Sequence, residues 1–122
     1  MFTTDRLSRD EIRAYLESDK AVVLVAEDAL AGAAIVELHG SAARLVSMAV
    51  APDYRRRHIG KFLLMSAEAS AREHGCTLMW LEVRSDNVPA IALYTCKGYN
   101  KCGRRKRYYE DGCDAVVFVK VL

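Results

Sequence analysis

Glu82 stands near the end of CTLMWLEV, an almost wholly apolar run from Cys76 to Val83. A carboxylate in such a run is costly to desolvate unless it faces a cleft or has partners. In a cleft it has the character of a general base; beside a cation such as Arg84 it is half of an ion pair. Tyr94 lies on the next apolar segment, and a phenol, with an ordinary pKa of about 10, can donate a proton near neutrality. The competing reading of Tyr94 is a core aromatic on an apolar helix face. Asn87 sits between them at a helix start, either as a plain N-cap or as a cap whose amide also meets a ligand. The other chemistry-bearing stretch is Leu45 to Lys61, LVSMAVAPDYRRRHIGK. Arg55, Arg56, Arg57 and Lys61 gather charge suited to a phosphate or pyrophosphate. The first turn of a helix leaves N–H groups unpaired and partly positive, so a strand, a cationic turn and a helix N-terminus together make an anion site. The plain alternative is a solvated basic turn.

The elements around these residues are legible from periodicity and breakers. Leu45, Val46, Met48 and Val50 read as a buried strand that Pro52 ends, because proline cannot donate to a ladder. Ile59, Phe62, Leu63, Ser66, Ala67, Ala69 and Ser70 have helical spacing, and Gly75 stops that helix after His74. Upstream, Ser8-x-x-Glu11 is a capping box before a short helix carrying Ile12, Tyr15 and Leu16. Strands are expected at Lys20 to Glu27, Gly32 to Leu38 and Ala42 to Val50, with a turn at His39-Gly40. Cys76 to Val83 follows a crossover helix and is therefore parallel to the strand ending at Val50. Pro89 suits the first turn of a helix from Val88 to Lys97, which buries Ile91, Leu93 or Tyr94, and Cys96 before stopping at Gly98. Tyr99 to Tyr109 and Asp114 to Val121 read as a closing hairpin around Glu110 to Gly112.

The resulting order predicts an α/β (α+β) domain: a mixed, mostly antiparallel twisted sheet, helices on both faces, and one parallel strand pair. Ligands of such sheets bind at strand carboxyl ends near a change of direction, here beside Val50 and Val83. At 122 residues the chain is one domain, 1–122, with little surplus core. The apolar fraction of 52% with 28% charged residues is that of a soluble globular protein. No apolar run approaches the roughly 20 residues of a membrane span, and the charged start MFTTDRLSRDE is no signal peptide, so a cytoplasmic location is expected. Four cysteines form no CxxC pair and have no histidine at zinc spacing, which predicts reduced thiols and no metal, with Cys76 and Cys96 as small buried hydrophobes. The run RRKRYY from Arg104 to Tyr109 interleaves charge and aromatics as single-strand nucleic-acid binders do. A net charge of +2 argues against nucleic acid, and a strand would place those cations on a solvated face.

VAPDYRRRHIGKFLL resembles the pyrophosphate-binding motif of the GNAT acyltransferase superfamily: arginine or glutamine, two residues, glycine, one residue, glycine. LEVRSDNVPAIALYTCKGYNKCGRRKRYYEDGCDA is similar to the C-terminal half of the bacterial ribosomal-protein alanine N-acetyltransferases. With the strand order, the resemblance covers roughly Asp5 to Leu122. It implies acetyl-CoA-dependent acetylation of an amine, peptide or small molecule. The strand matching Met48, Ala49 and Val50 would splay from its neighbour and pair with pantetheine. Arg55, Arg56, Arg57, His58, Ile59, Gly60 and Lys61 would hold the pyrophosphate. Asn87 aligns with a cofactor-contacting asparagine, Glu82 with the general base and Tyr94 with the acid that protonates the leaving thiolate.

Two departures qualify the match. His58 stands where the motif has its first glycine, a position that favours close backbone approach. The family also has a strand and a helix before the segment matching Phe2, and without them an edge strand would need a cover, for which a second copy of the chain is a candidate. These departures keep a second reading open, a CoA-binding or interaction module without turnover.

Overall fold

The computed structural model describes residues 21–26, 32–50 and 59–122. Three strands come first, β1 (Ala21–Ala26), β2 (Gly32–His39) and β3 (Ala42–Val50), then helix α1 (Ile59–Glu73) and strand β4 (Leu78–Arg84). Helix α2 (Val88–Cys96) and strands β5 (Asn100–Arg105) and β6 (Ala115–Val121) complete the order. The capping-box helix expected after Ser8 lies outside the described residues.

The first three strands form an antiparallel meander, turning between β2 and β3 at Gly40 with φ +65°, a backbone that glycine adopts without a Cβ clash. The crossover through α1 makes β3 and β4 parallel, as expected. Strand β6 returns between β4 and β5, antiparallel to both, so the sheet order is β1-β2-β3-β4-β6-β5.

One face of this sheet carries the core. Val36 of β2, Leu45 of β3, Met79, Leu81 and Val83 of β4, and Val116 and Phe118 of β6 are buried there by the two-residue strand period. Leu63, Leu64, Ala67 and Ala71 of α1 and Ala90 and Tyr94 of α2 meet them. Burying a side chain the size of Leu64 or Met79 contributes about 2 kcal/mol. The two described helices share this face.

Both helices end as their glycines predict. Gly75 (φ +82°) lets Cys76 N–H reach Ala71 C=O while its own N–H bonds Arg72 C=O. Gly98 (φ +91°) does the same, with Tyr99 N–H on Tyr94 C=O and its own N–H on Thr95 C=O. Paired bonds of this kind satisfy the last carbonyls and bring the residue after the glycine onto the final turn. Tyr99 is thereby set edge-on against Tyr94, with ring centroids 5.7 Å apart.

Two expectations change. The strand predicted to run to Tyr109 stops at Arg105. Asp114 accepts from the Arg107 backbone N–H at 3.0 Å and from Arg104 Nη1 at 2.8 Å, and Arg107 takes φ +51°, which no strand accommodates. The turn at Glu110 to Gly112 is present, closed by Gly112 N–H on Tyr109 C=O, but it belongs to a longer connection over residues 106–114. Cys96, expected in the core, is exposed at the end of α2; Cys76 is buried as predicted.

Candidate active site

The parallel strands β3 and β4 part company partway along. Their register runs from Ala42↔Leu78 to Leu45↔Leu81 and goes no further among the described residues. Beyond it, Ser47 to Val50 stay paired with β2 on the far side, and Glu82 to Arg84 stay paired with β6. The cause is a β-bulge. Val36 faces Leu45 and Ile35 faces Ser47, so Val46 is an extra residue in β3 with no opposite number. A bulge bends its strand and increases local twist, and here it turns β3 away from β4 just where the pairing stops. The result is a fork whose first residue on the β4 side is Glu82.

Glu82 is buried, and its carboxylate is held by two guanidinium groups from other strands. Arg44 of β3 donates to Oε1 through Nε at 3.0 Å and Nη2 at 2.7 Å. Arg105 of β5 approaches Oε2 through Nε at 3.0 Å. The pairing with Arg84 expected from sequence is absent from this cluster: Arg84 binds Asp86 and Asp111 and lies over the Tyr109 ring, 5.0 Å from its centroid. Those hydrogen bonds from Arg84 hold both aspartates below their ordinary carboxylate range. Arg44 also lies over Trp80, 5.2 Å from the ring, and donates to the Tyr108 hydroxyl at 3.2 Å. Burial works against its charge, yet Glu82 more than offsets this and holds the guanidinium above its ordinary value.

Tyr94 lies on the other face of the sheet, where α2 packs its ring against Tyr99 and against Phe118 at 6.3 Å. Burial, with a smaller push from Tyr109, raises its phenol well above the ordinary value. Carboxylate and phenol therefore stand on opposite faces of the sheet. Asn87 is the N-cap of α2, its Oδ1 accepting from Ala90 N–H at 3.3 Å, and Pro89 follows in the first turn. Capping engages the amide oxygen.

Met48 buries its side chain in the core beyond the bulge, while Ala49 and Val50 continue β3 opposite Ala33 and Gly32. Ile59, Gly60 and Lys61 form the first turn of α1, whose N–H groups have no intrahelical acceptor. Arg55, Arg56, Arg57 and His58 lie outside the described residues. Arg44, Arg105 and Tyr108 are the site residues that sequence reasoning missed. Arg44 interrupts the apolar strand AARLVSMAV, and that interruption was the available signal. No cluster of His, Cys, Asp and Glu able to hold a metal occurs among the described residues, nor is any described helix long and apolar enough to cross a membrane.

The chain is similar to known proteins in sequence and in fold. The ribosomal protein bS18-alanine N-acetyltransferase of Salmonella typhimurium is 40% identical over 86 residues, 70% of this chain and 58% of that protein. An N-alpha-acetyltransferase of Saccharolobus solfataricus is 39% identical over 79 residues, 64% of this chain and 47% of the relative. The chain thus spans about half the length of these curated relatives. The crystal structure of the ribosomal-protein-S18-alanine N-acetyltransferase from Escherichia coli superposes with a TM-score of 0.82 at 30% identity, covering 98% of this chain and 80% of that one. Residues 2–99 match the Acetyltransferase (GNAT) family. With a fork between its parallel strands and a match over most of its length, the chain belongs to the GNAT acetyltransferase family.

Proposed function

We propose that this chain is an acetyl-CoA-dependent N-acetyltransferase that acts on a primary amine, with a protein or peptide N-terminus as the acceptor. The observation that carries this reading is the fork: β3 leaves β4 after Leu45, and Glu82 is the first residue past the split. Backbone groups of Met48, Ala49 and Val50 on the open side of β3 suit the amides of a pantetheine arm, which pairs as an added strand would. The first turn of α1, with Gly60 and Lys61, suits the pyrophosphate; Arg55, Arg56, Arg57 and His58 complete that turn in the sequence. The amide NH2 of Asn87 supplies one further donor.

The chemistry is a direct attack in a ternary complex. An α-ammonium with a pKa of about 8 gives up one proton to Glu82, directly or through a water. The freed amine adds to the thioester carbonyl, and the oxyanion takes a hydrogen bond from a backbone N–H near Val50. As the C–S bond breaks, the thiolate receives the Tyr94 proton. The second proton lost by the nitrogen returns through water to the phenol, and Glu82 releases its own to solvent. Burial keeps this phenol in its protonated form at neutral pH, and the same burial makes it a weaker acid than a free tyrosine. The acceptor is read from the two relatives, one named for the alanine of ribosomal protein bS18 and the other an N-alpha-acetyltransferase. Pairing of the β1 edge with a second copy belongs to the same proposal.

A specific observation favours the alternative of a CoA-binding module without turnover: both oxygens of Glu82 are engaged by arginines. Intact-mass acetylation of a peptide panel, run beside thermal shift with acetyl-CoA, separates the two. Acetylated peptides with free N-terminal alanine support the enzyme. Stabilisation by acetyl-CoA with no transfer to any amine supports the module, and no stabilisation removes both.

A further inference from the structure

The two oxygens of the Glu82 carboxylate are held very unequally. Oε1 takes two N–H donors from Arg44, whose side chain is 21% exposed. Arg44 is itself pinned by Trp80 beneath it and by the Tyr108 hydroxyl. Oε2 takes one donor, Nε of Arg105, from a side chain that is 51% exposed. Arg105 ends β5, the outermost strand on its side of the sheet. A long side chain holding a half-exposed ion pair loses rotamer freedom and gains little net energy, so this contact breaks at small cost. Releasing Arg44 would instead strip a buried carboxylate of its principal partner.

We propose that Arg105 is a displaceable counter-ion that occupies the place of the acceptor's ammonium group at Oε2 of Glu82. This rests on the reading of Glu82 as the base. A group able to replace a guanidinium N–H at that oxygen is another N–H cation, and a primary α-ammonium is mostly such a cation at neutral pH. The acceptor enters by exchanging with Arg105, places its ammonium on Oε2 and passes one proton to that oxygen. The freed amine then forms the C–N bond as the C–S bond breaks, its second proton makes good the one given to the departing thiolate, and Oε2 releases its own to water. The acetylated product is a neutral amide with no charge to hold it there, and Arg105 closes back onto Oε2. The site thereby admits cationic amines and turns away neutral alcohols and anionic nucleophiles, which cannot compete with a guanidinium. Arg105 is a positioning residue in this scheme; it touches the base and not the reacting atoms. Engagement of both Glu82 oxygens in the free protein is then the resting state of an active site.

The test is steady-state acetylation of a hexapeptide with a free N-terminal alanine, comparing the parent with Arg105→Ala, Arg105→Gln and Arg105→Lys. Loss of the competing cation lowers the peptide KM about two- to fivefold in Arg105→Ala and Arg105→Gln. Arg105→Lys keeps a cation and stays close to the parent. KM for acetyl-CoA is the internal control and does not move. A peptide KM that is unchanged or higher in both neutral variants, or one that falls together with the acetyl-CoA KM, overturns the proposal. Glu82→Gln separates this failure from failure of the functional reading. If that variant is inactive while the Arg105 variants leave KM unchanged, the exchange alone is wrong. If it is fully active, the assignment of the base is wrong and the exchange goes with it.

Discussion

Deleting Val46 should close the cofactor fork without unfolding the protein. In the present register Leu45 faces Val36 and Ser47 faces Ile35, with Val46 unmatched between them. Removing it makes β3 regular and moves no side chain to the other face: Leu45 and Met48 stay in the core. The straightened strand then lies in register with β4 beyond Leu45↔Leu81, and Ser47, Met48 and Ala49 fall opposite Glu82, Val83 and Arg84. Three added ladder bonds contribute about 1 kcal/mol each. Against this stands the loss of a Val46 side chain that is only 7% exposed, worth about 2 kcal/mol. The net change in stability is within about 1–2 kcal/mol of zero, a balance that urea denaturation resolves. Acetyl-CoA binding, in contrast, should be lost, because its backbone partners on β3 are now taken by β4. At a hundredfold excess over Kd the parent gains about 2.7 kcal/mol from the cofactor, a shift of several degrees in Tm, and the deletion variant gains none. A deletion variant that folds and still binds acetyl-CoA as tightly as the parent would refute the claim that the bulge makes the site.

Glu82→Gln should lower turnover by about a hundredfold or more while leaving acetyl-CoA affinity unchanged, as rate assays beside calorimetry will read. Tyr94→Phe should slow single-turnover transfer by about tenfold or more, and an unchanged rate removes its role as the acid. The fold should lose stability in alkali. Burial first, and for Tyr99 also Glu68, raises the phenols of Tyr94 and Tyr99 far above their ordinary values. Both stay protonated in the fold while the unfolded chain ionises near pH 10, so stability is full below about pH 10 and falls as pH rises beyond it. Urea midpoints between pH 8 and 11 test this, with ultraviolet titration showing these two tyrosines ionising only on unfolding. Lys120→Ala should cost about 3 kcal/mol, because Glu68 is buried on α1 and relies on Lys120 Nζ at 3.1 and 3.2 Å and the Tyr99 hydroxyl at 2.8 Å. Replacing the pair together, Glu68→Leu with Lys120→Met, should recover most of that loss in the same denaturation assay.

What was legible in the sequence is what neighbours along the chain decide. Apolar alternation located the strands, Gly75 and Gly98 ended the helices, and an apolar run after a crossover helix implied that β4 lies parallel to β3. Glu82 and Tyr94 stood out because each is a proton-active group in an apolar segment, where such a group needs a reason. The sequence could not show which cations meet Glu82, because Arg44 lies 38 positions away and only strand register brings it close. Arg105 is a sharper case. Cys102 is an extra residue between Lys101↔Phe118 and Gly103↔Val117, and this second bulge turns Arg105, rather than Arg104, onto the face of Glu82. Arg104 is left to pair with Asp114. The fork has the same origin in Val46. A single added residue shifts every later side chain by one place in a two-residue period, and nothing in the local composition of LVSMAV marks where that residue falls. Composition and periodicity therefore determined the elements and the chemical groups. Packing of the strands against one another decided where the sheet opens and which charges stand around Glu82.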